Sequence, residues 1–188
     1  MILTTGSVIV YPSQGPCLIE AIVERTIGEQ SRSFYQLLVL SDGGGNLFVP
    51  VEKIEAVGIR LLLNISEIPK LMDHLTHPAP AADHHRQRSL NNLKLMASGS
   101  AFDLAQIVGS LTELRDTRSL GFSEFKSLEK AKGLLACEIA EVMGTTKEAA
   151  TEQVEKVLGA RTKKAGDEPA AKKRVTSRNQ TKYQSAWG

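Results

Sequence analysis

The hydrophobic pattern of this chain changes period once, near Ile65, and that change constrains its architecture more than any other feature. Over residues 6–60, apolar residues alternate with polar ones or come in short runs. Over residues 83–158 they return every three or four positions. A repeat of two belongs to strands, and a repeat near 3.6 to amphipathic helices. Both in succession predict an α+β protein, with a small β unit followed by an all-α unit.

The β half is punctuated by tight turns. Val8-Ile9-Val10-Tyr11 and Cys17-Leu18-Ile19-Glu20-Ala21-Ile22 flank a Pro-Ser-Gln-Gly-Pro turn. Residues 34–40 read as a buried strand. Ser41-Asp-Gly-Gly-Gly-Asn46 turns it back into Leu47-Phe48-Val49-Pro50, a hairpin signature. A last strand is expected at Val57-Gly58-Ile59-Arg60. Short strands this close together suggest a small open barrel of the SH3 or Tudor kind. The triple glycine is no phosphate-binding loop, because neither a Gly-Lys-Ser/Thr nor a helix follows it.

In the α half, Ser66 is placed to cap a short helix over residues 69–75. His77-Pro-Ala-Pro-Ala-Ala82 should then be an extended joint. Asp83 can cap a helix ending at Gly99. Ser100 with Asp103 resembles a capping box, and Leu104, Ile107, Val108, Leu111 and Leu114 form one stripe behind it. Ser123 is placed to cap a longer helix that buries Leu128, Ala131, Leu135, Ile139 and Val142, with Gly144 closing it. Thr145 and Glu148 open a last helix through Val154, Val157 and Leu158. Four helices with short loops can share a core. Beyond Gly159 no period survives, and a disordered tail is expected. The plan is therefore a β domain at 1–65, a short helix and joint at 66–82, a four-helix domain at 83–158, and a tail at 159–188.

The net charge is +2, but residues 159–188 hold eight Lys and Arg against two acids. Any bulk electrostatic attraction to nucleic acid therefore belongs to the tail. No apolar run approaches bilayer length, and the N-terminus lacks the pattern of a signal peptide. Cys17 and Cys137 sit in apolar contexts and read as buried thiols of a cytoplasmic protein. No catalytic motif is present, so no enzyme activity and no cofactor are expected. The four histidines fall within residues 74–85. Prolines interrupt that segment, and only Asp73 and Asp83 could join them, so a metal site is not expected. Arg86 and Arg88 stand at a helix start, where the helix dipole disfavours cations. That placement points to an anionic partner or to a solvated turn.

These residues resemble the CarD/CdnL family of bacterial transcription regulators. The resemblance rests on Gly6-x-x-Val-x-Tyr-Pro-x-x-Gly15, Ile22-x-x-Arg25-Thr-Ile27, Tyr35-x-Leu37, Val49-Pro50 and Val57-Gly-Ile-Arg60. In the helical half it rests on Asn92-Leu93, Ala97-Ser-Gly99, residues 101–114, Arg115-Asp116, Leu120-Gly-x-Ser-x-x-Lys126 and Ala131-Lys-x-Leu-Leu135. It runs in order over residues 1–158.

The resemblance implies a Tudor-like domain that docks on the RNA polymerase β subunit by pairing strand edges, through Arg25, Phe48, Val49 and Pro50. It implies a helical domain lying on promoter DNA at the upstream edge of the melted region, through His85, Arg86, Arg88 and Lys94. There a family Trp wedges into the minor groove and stabilises the open complex. Arg25 matches a family basic residue, whereas Phe48 stands where the family carries Arg. His85 stands at the wedge position, Gln87 replaces a basic residue and Arg88 keeps one. The only Trp of this chain is Trp187. A cytoplasmic monomer without metal, cofactor or membrane partner is implied. Two rivals remain open at this point. One is a polymerase-bound adaptor that has lost promoter melting. The other is an enzyme that uses the histidine cluster.

Overall fold

The computed structural model describes residues 3–41, 44–82 and 84–167. The β-branched runs pair as their alternation requires. Strands β1 (Val8–Tyr11), β2 (Gly15–Ile27), β3 (Gln30–Val39), β4 (Asn46–Pro50) and β5 (Arg60–Leu61) form one antiparallel sheet in the order β4-β3-β2-β1-β5. Ile9, Cys17, Ile19 and Leu37 are fully buried on its inner face. Among the described residues no pairing joins β4 to β5, so the sheet is open at both edges and not a closed barrel.

β2 is longer than the apolar run that announced it. Glu24, Arg25 and Thr26 pair with Ser33, Arg32 and Ser31, and this polar end of the hairpin projects beyond the core. The last strand starts later than expected. Residues Ile54–Val57 form a helical turn, α1, closed by Gly58 in the left-handed region at φ +81°. The turn places Ile54 and Ile59 in the core of the sheet.

The helical half comprises α2 (Ile68–Thr76), α3 (His85–Ala97), α4 (Ala101–Thr117), α5 (Phe122–Met143) and α6 (Lys147–Asp167). α3 to α6 are the four expected helices, and α2 is a fifth member of the same core. Ile68, Leu71 and Leu75 are buried in one cluster with α4, α5 and α6. The proline segment is no free joint. The Gln106 side chain donates to the Ala79 carbonyl at 2.7 Å and accepts from the Ala79 N–H at 2.8 Å. Gly109 of α4 permits this approach, since a Cβ there would stand 2.7 Å from the Leu75 carbonyl oxygen. α2 thus packs in the same core as the helices that follow it.

Several helix ends differ in detail from expectation. Glu67, rather than Ser66, reaches back to the Asn64 N–H at 2.9 Å. α5 begins one residue before Ser123, and its Glu124 carboxylate accepts from the Gly121 N–H at 3.0 Å. At the start of α6 it is Thr146 that accepts from Ala149 N, at 3.2 Å. α6 runs past Gly159 to Asp167. Ser100 and Gly144 cap as read. Asp83 and residues 168–188, including Trp187, lie outside the described residues.

The two units meet through the first hairpin turn and β5. Ser13, at φ +63°, donates to the Met96 carbonyl at 3.2 Å. A Cβ at Gly15 would stand 2.9 Å from Leu134 Cδ2, and one at Gly99 would stand 3.2 Å from Pro12 Cγ. Arg60 fixes the joint. Its guanidinium donates to both oxygens of Glu138 at 2.6 and 2.8 Å and to the Gly99 carbonyl at 2.7 Å. Glu138 is 1% exposed and also accepts from Leu63 N at 3.2 Å. Both cysteines are buried, and burial pushes Cys17 up to about 11, which leaves its thiol unreactive at neutral pH.

Breaking a buried ion pair by removing one partner strands the other charge. Arg60→Leu should therefore destabilise the protein by about 3 kcal/mol, and Arg60→Leu with Glu138→Leu should recover much of that loss. Denaturant titration of both variants checks this; equal losses would show that the charge on Glu138 is not the cause.

Candidate functional site

Two surfaces carry the residues singled out above, one on each unit. On the β unit, the order of strands leaves β4 paired with β3 alone, so one backbone edge of β4 is unpaired by any described strand. An unpaired edge is a template for strand addition. Phe48 sits on it, 37% exposed. The Arg25 guanidinium, reaching across from β2, lies 3.6 Å from the centroid of the Phe48 ring. This is a cation–π stack that joins the two side chains into one contact surface. Arg32 stands beside it, paired with Glu52 at 3.3 Å. Pro50 closes the strand without a backbone N–H to donate. Val49 departs from expectation, because the alternation of β4 turns its side chain into the core. Only its backbone belongs to the edge.

On the helical unit, α3 starts beside the start of α5. His85 is exposed, with Nε2 at 3.5 Å from Ser123 Oγ and 4.0 Å from Glu124 Oε1. Arg86 and Lys94 are exposed on α3. Arg88 is not. It points inward, 6% exposed. Its Nε and Nη2 donate to Glu124 at 3.0 and 2.9 Å, and its Nη1 donates to the Ala82 carbonyl at 2.7 Å. A guanidinium bound in this way has little left for a phosphate, so Arg88 is a structural residue. Glu124 also receives Arg118 at 3.2 Å. Burial pushes the Glu124 carboxyl up, but the Gly121 N–H and the Arg88 and Arg118 guanidinium groups outweigh it, and the carboxyl titrates below the usual glutamate value.

With both surfaces described, the chain can be set beside known proteins. Residues 3–62 match the model of the CarD-like/TRCF RID domain and residues 70–155 that of the CarD C-terminal domain. The chain belongs to the CarD family. Together the two matches cover more than three quarters of its length, the first ending just after β5 and the second beginning within α2. The RID type is RNA polymerase-interacting, which makes this a transcription-related factor. A relative is the candidate transcription factor YdeB of Bacillus subtilis (strain 168), 28% identical over 142 residues, which span 75% of this chain and 92% of the relative.

The histidine cluster disperses in this CarD-family fold. His74 meets Phe102 edge-on at 5.9 Å between ring centroids. His77 bonds locally to Thr76 and Asp73, and His85 faces α5. Among the described residues no three His, Cys, Asp or Glu side chains converge on a possible metal position, and no helix is long and apolar enough to cross a membrane. Sequence reasoning missed Glu124 as an organising residue. Its one signal was its place three residues after Gly121, where a helix-start glutamate reaches back to the backbone. It also missed Phe122 and Phe125, both exposed on α5.

A carboxylate held below its ordinary range adds stability above that range and loses it as the pH falls through the lowered value. Glu124→Gln should cost about 3 kcal/mol at pH 7, and its deficit relative to the parent chain should shrink once the pH drops below about 4. Denaturation curves at pH 7 and pH 3 test this; a constant deficit would show that ionisation of Glu124 plays no part.

Proposed function

We propose that this protein docks on the RNA polymerase β subunit through the β4 edge of its first unit and holds its helical unit against promoter DNA at the upstream edge of the melted region. No bond is made or broken; the effect is on the stability of the open complex. The observation that carries the reading is the unpaired β4 edge bearing the Arg25–Phe48 stack, within a unit of the polymerase-interacting type. Strand addition needs such an edge, and the stack supplies a charged and an apolar contact beside it. Phe48, where the family carries Arg, adds no second cation but presents its ring to Arg25 and fixes its direction.

The DNA-facing part rests on His85, Arg86 and Lys94. They are exposed along one helix, and cations such as Arg86 and Lys94 bind phosphates without reading sequence. Arg88 supports that surface from beneath by anchoring the start of α3 to α5. A second reading is favoured by the same geometry. With Arg88 committed to Glu124 and His85 in place of an indole, the family's DNA contact is reduced. The protein would then be a polymerase-bound adaptor that no longer stabilises melted DNA.

Two measurements divide these readings. Reversing an interface charge that pairs with a carboxylate costs roughly 2–5 kcal/mol, so Arg25→Glu should weaken polymerase binding at least about tenfold while circular dichroism stays native. Unchanged affinity would remove this face from the docking surface. His85→Trp should lengthen the open-complex lifetime on a promoter template about fivefold, the equivalent of about 1 kcal/mol of added ring stacking. No change, with polymerase binding intact, would establish the adaptor reading instead.

A further inference from the structure

The start of α5 displays two phenylalanines that the fold does not bury. Phe122 is 75% exposed and Phe125 is 52% exposed. Single exposed apolar residues are common, but this pair lies in a basic setting. Lys126 Nζ stands 4.6 Å from the centroid of the Phe122 ring. His85 Nε2 lies 3.5 Å from Ser123 Oγ, beside Phe122 in the chain. Within residues 84–88 and 115–126 the exposed Arg86, Arg115, Arg118 and Lys126 stand against the exposed Asp116 and the buried Glu124. One of those acids, Glu124, is buried beneath the patch and already held by Arg88 and Arg118. Residues 80–158 as a whole hold ten Lys and Arg against eleven acids, so the excess is local.

Exposed rings among cations fit a partner that offers flat apolar faces surrounded by negative charge. Duplex DNA offers the charge but keeps its base faces stacked inside. Only unpaired strands present both together, and proteins that bind them combine aromatic platforms with cationic flanks. We propose that Phe122 is a stacking platform for an unpaired base, with Lys126 taking a neighbouring phosphate and Phe125 extending the platform. This rests on the reading that the helical unit faces melted promoter DNA, and it names what the unit would hold there. It also accounts for His85 in place of an indole. The large ring is supplied from α5 instead of α3, and the His85–Ser123 contact keeps the two positions adjacent.

The test uses the full chain and a short single-stranded DNA carrying 2-aminopurine, whose fluorescence falls when the base stacks, beside a duplex of the same sequence. The parent chain should quench the probe in the single strand. Phe122→Ala should bind that strand about tenfold more weakly, the effect of losing one stacked base, with duplex affinity and circular dichroism unchanged. Phe122→Trp should restore the quenching. If Phe122→Ala quenches and binds like the parent while duplex binding persists, the platform is wrong and the DNA-facing reading survives. If the parent chain binds neither form of DNA, both fall. If Phe122→Ala loses polymerase binding but keeps the single strand, the patch docks protein and the proposal is overturned.

Discussion

A carboxylate in the middle of a helix core is tolerated only where something answers its charge, and the arrangement of this molecule depends on what answers Glu138. Taking an ion out of water costs several kcal/mol even after relaxation, and only close, well-directed partners offset it. Here the partner comes from the other unit. Arg60, on the last strand of the sheet, reaches into the helical half, spans the Glu138 carboxylate and completes its fork on the Gly99 carbonyl. Because Glu138 cannot be left alone, β5 cannot drift from α5, and the sheet is held to the helices at a defined angle. The first hairpin turn then settles onto Met96, Gly99 and Leu134.

The same helix repeats this device at its other end. Glu124 and Glu138 lie fourteen residues apart, close to four turns, so both face roughly the same side of α5. Glu138 is met by Arg60 from the sheet, and Glu124 by Arg88 from α3 and Arg118 from the turn before α5. Apolar contact holds the helices together without directing them finely. The two charge clusters add direction, since a bidentate pair is satisfied in few orientations. α5 therefore serves as the spine to which both candidate surfaces are referred.

The switch of period, the first hairpin, the return of β4 and the long helices were legible because each is a local repeat with marked ends. Gly144 could be read as a helix stop and Ser100 as a start for the same reason. What the sequence hid was direction. Arg86 and Arg88 look alike in a one-dimensional reading, and the structure separates them because Glu124 lies 36 positions from Arg88. The resemblance groups Val49 with Phe48 in the docking set, though strand alternation places neighbours on opposite faces. The short helix at Ile68–Thr76 stands outside the four-helix domain in a reading of the sequence, yet it packs in the same core. Its burial depends on Gly109 leaving space, and no local pattern announces that. Glu24 to Thr26 escaped notice as strand because their pairing lies outside any apolar face.

The two glycines at the joint bear on how such a protein can change over time. Gly15 leaves room for Leu134, and Gly99 leaves room for Pro12, so each unit contributes one gap and one filler to the other. The halves look like separate modules in topology but are cut to one another at their border. Either half moved onto a relative's counterpart would meet a side chain in a gap or face an empty one. Exchange between relatives is thereby restricted to pairs that carry both gaps and both fillers.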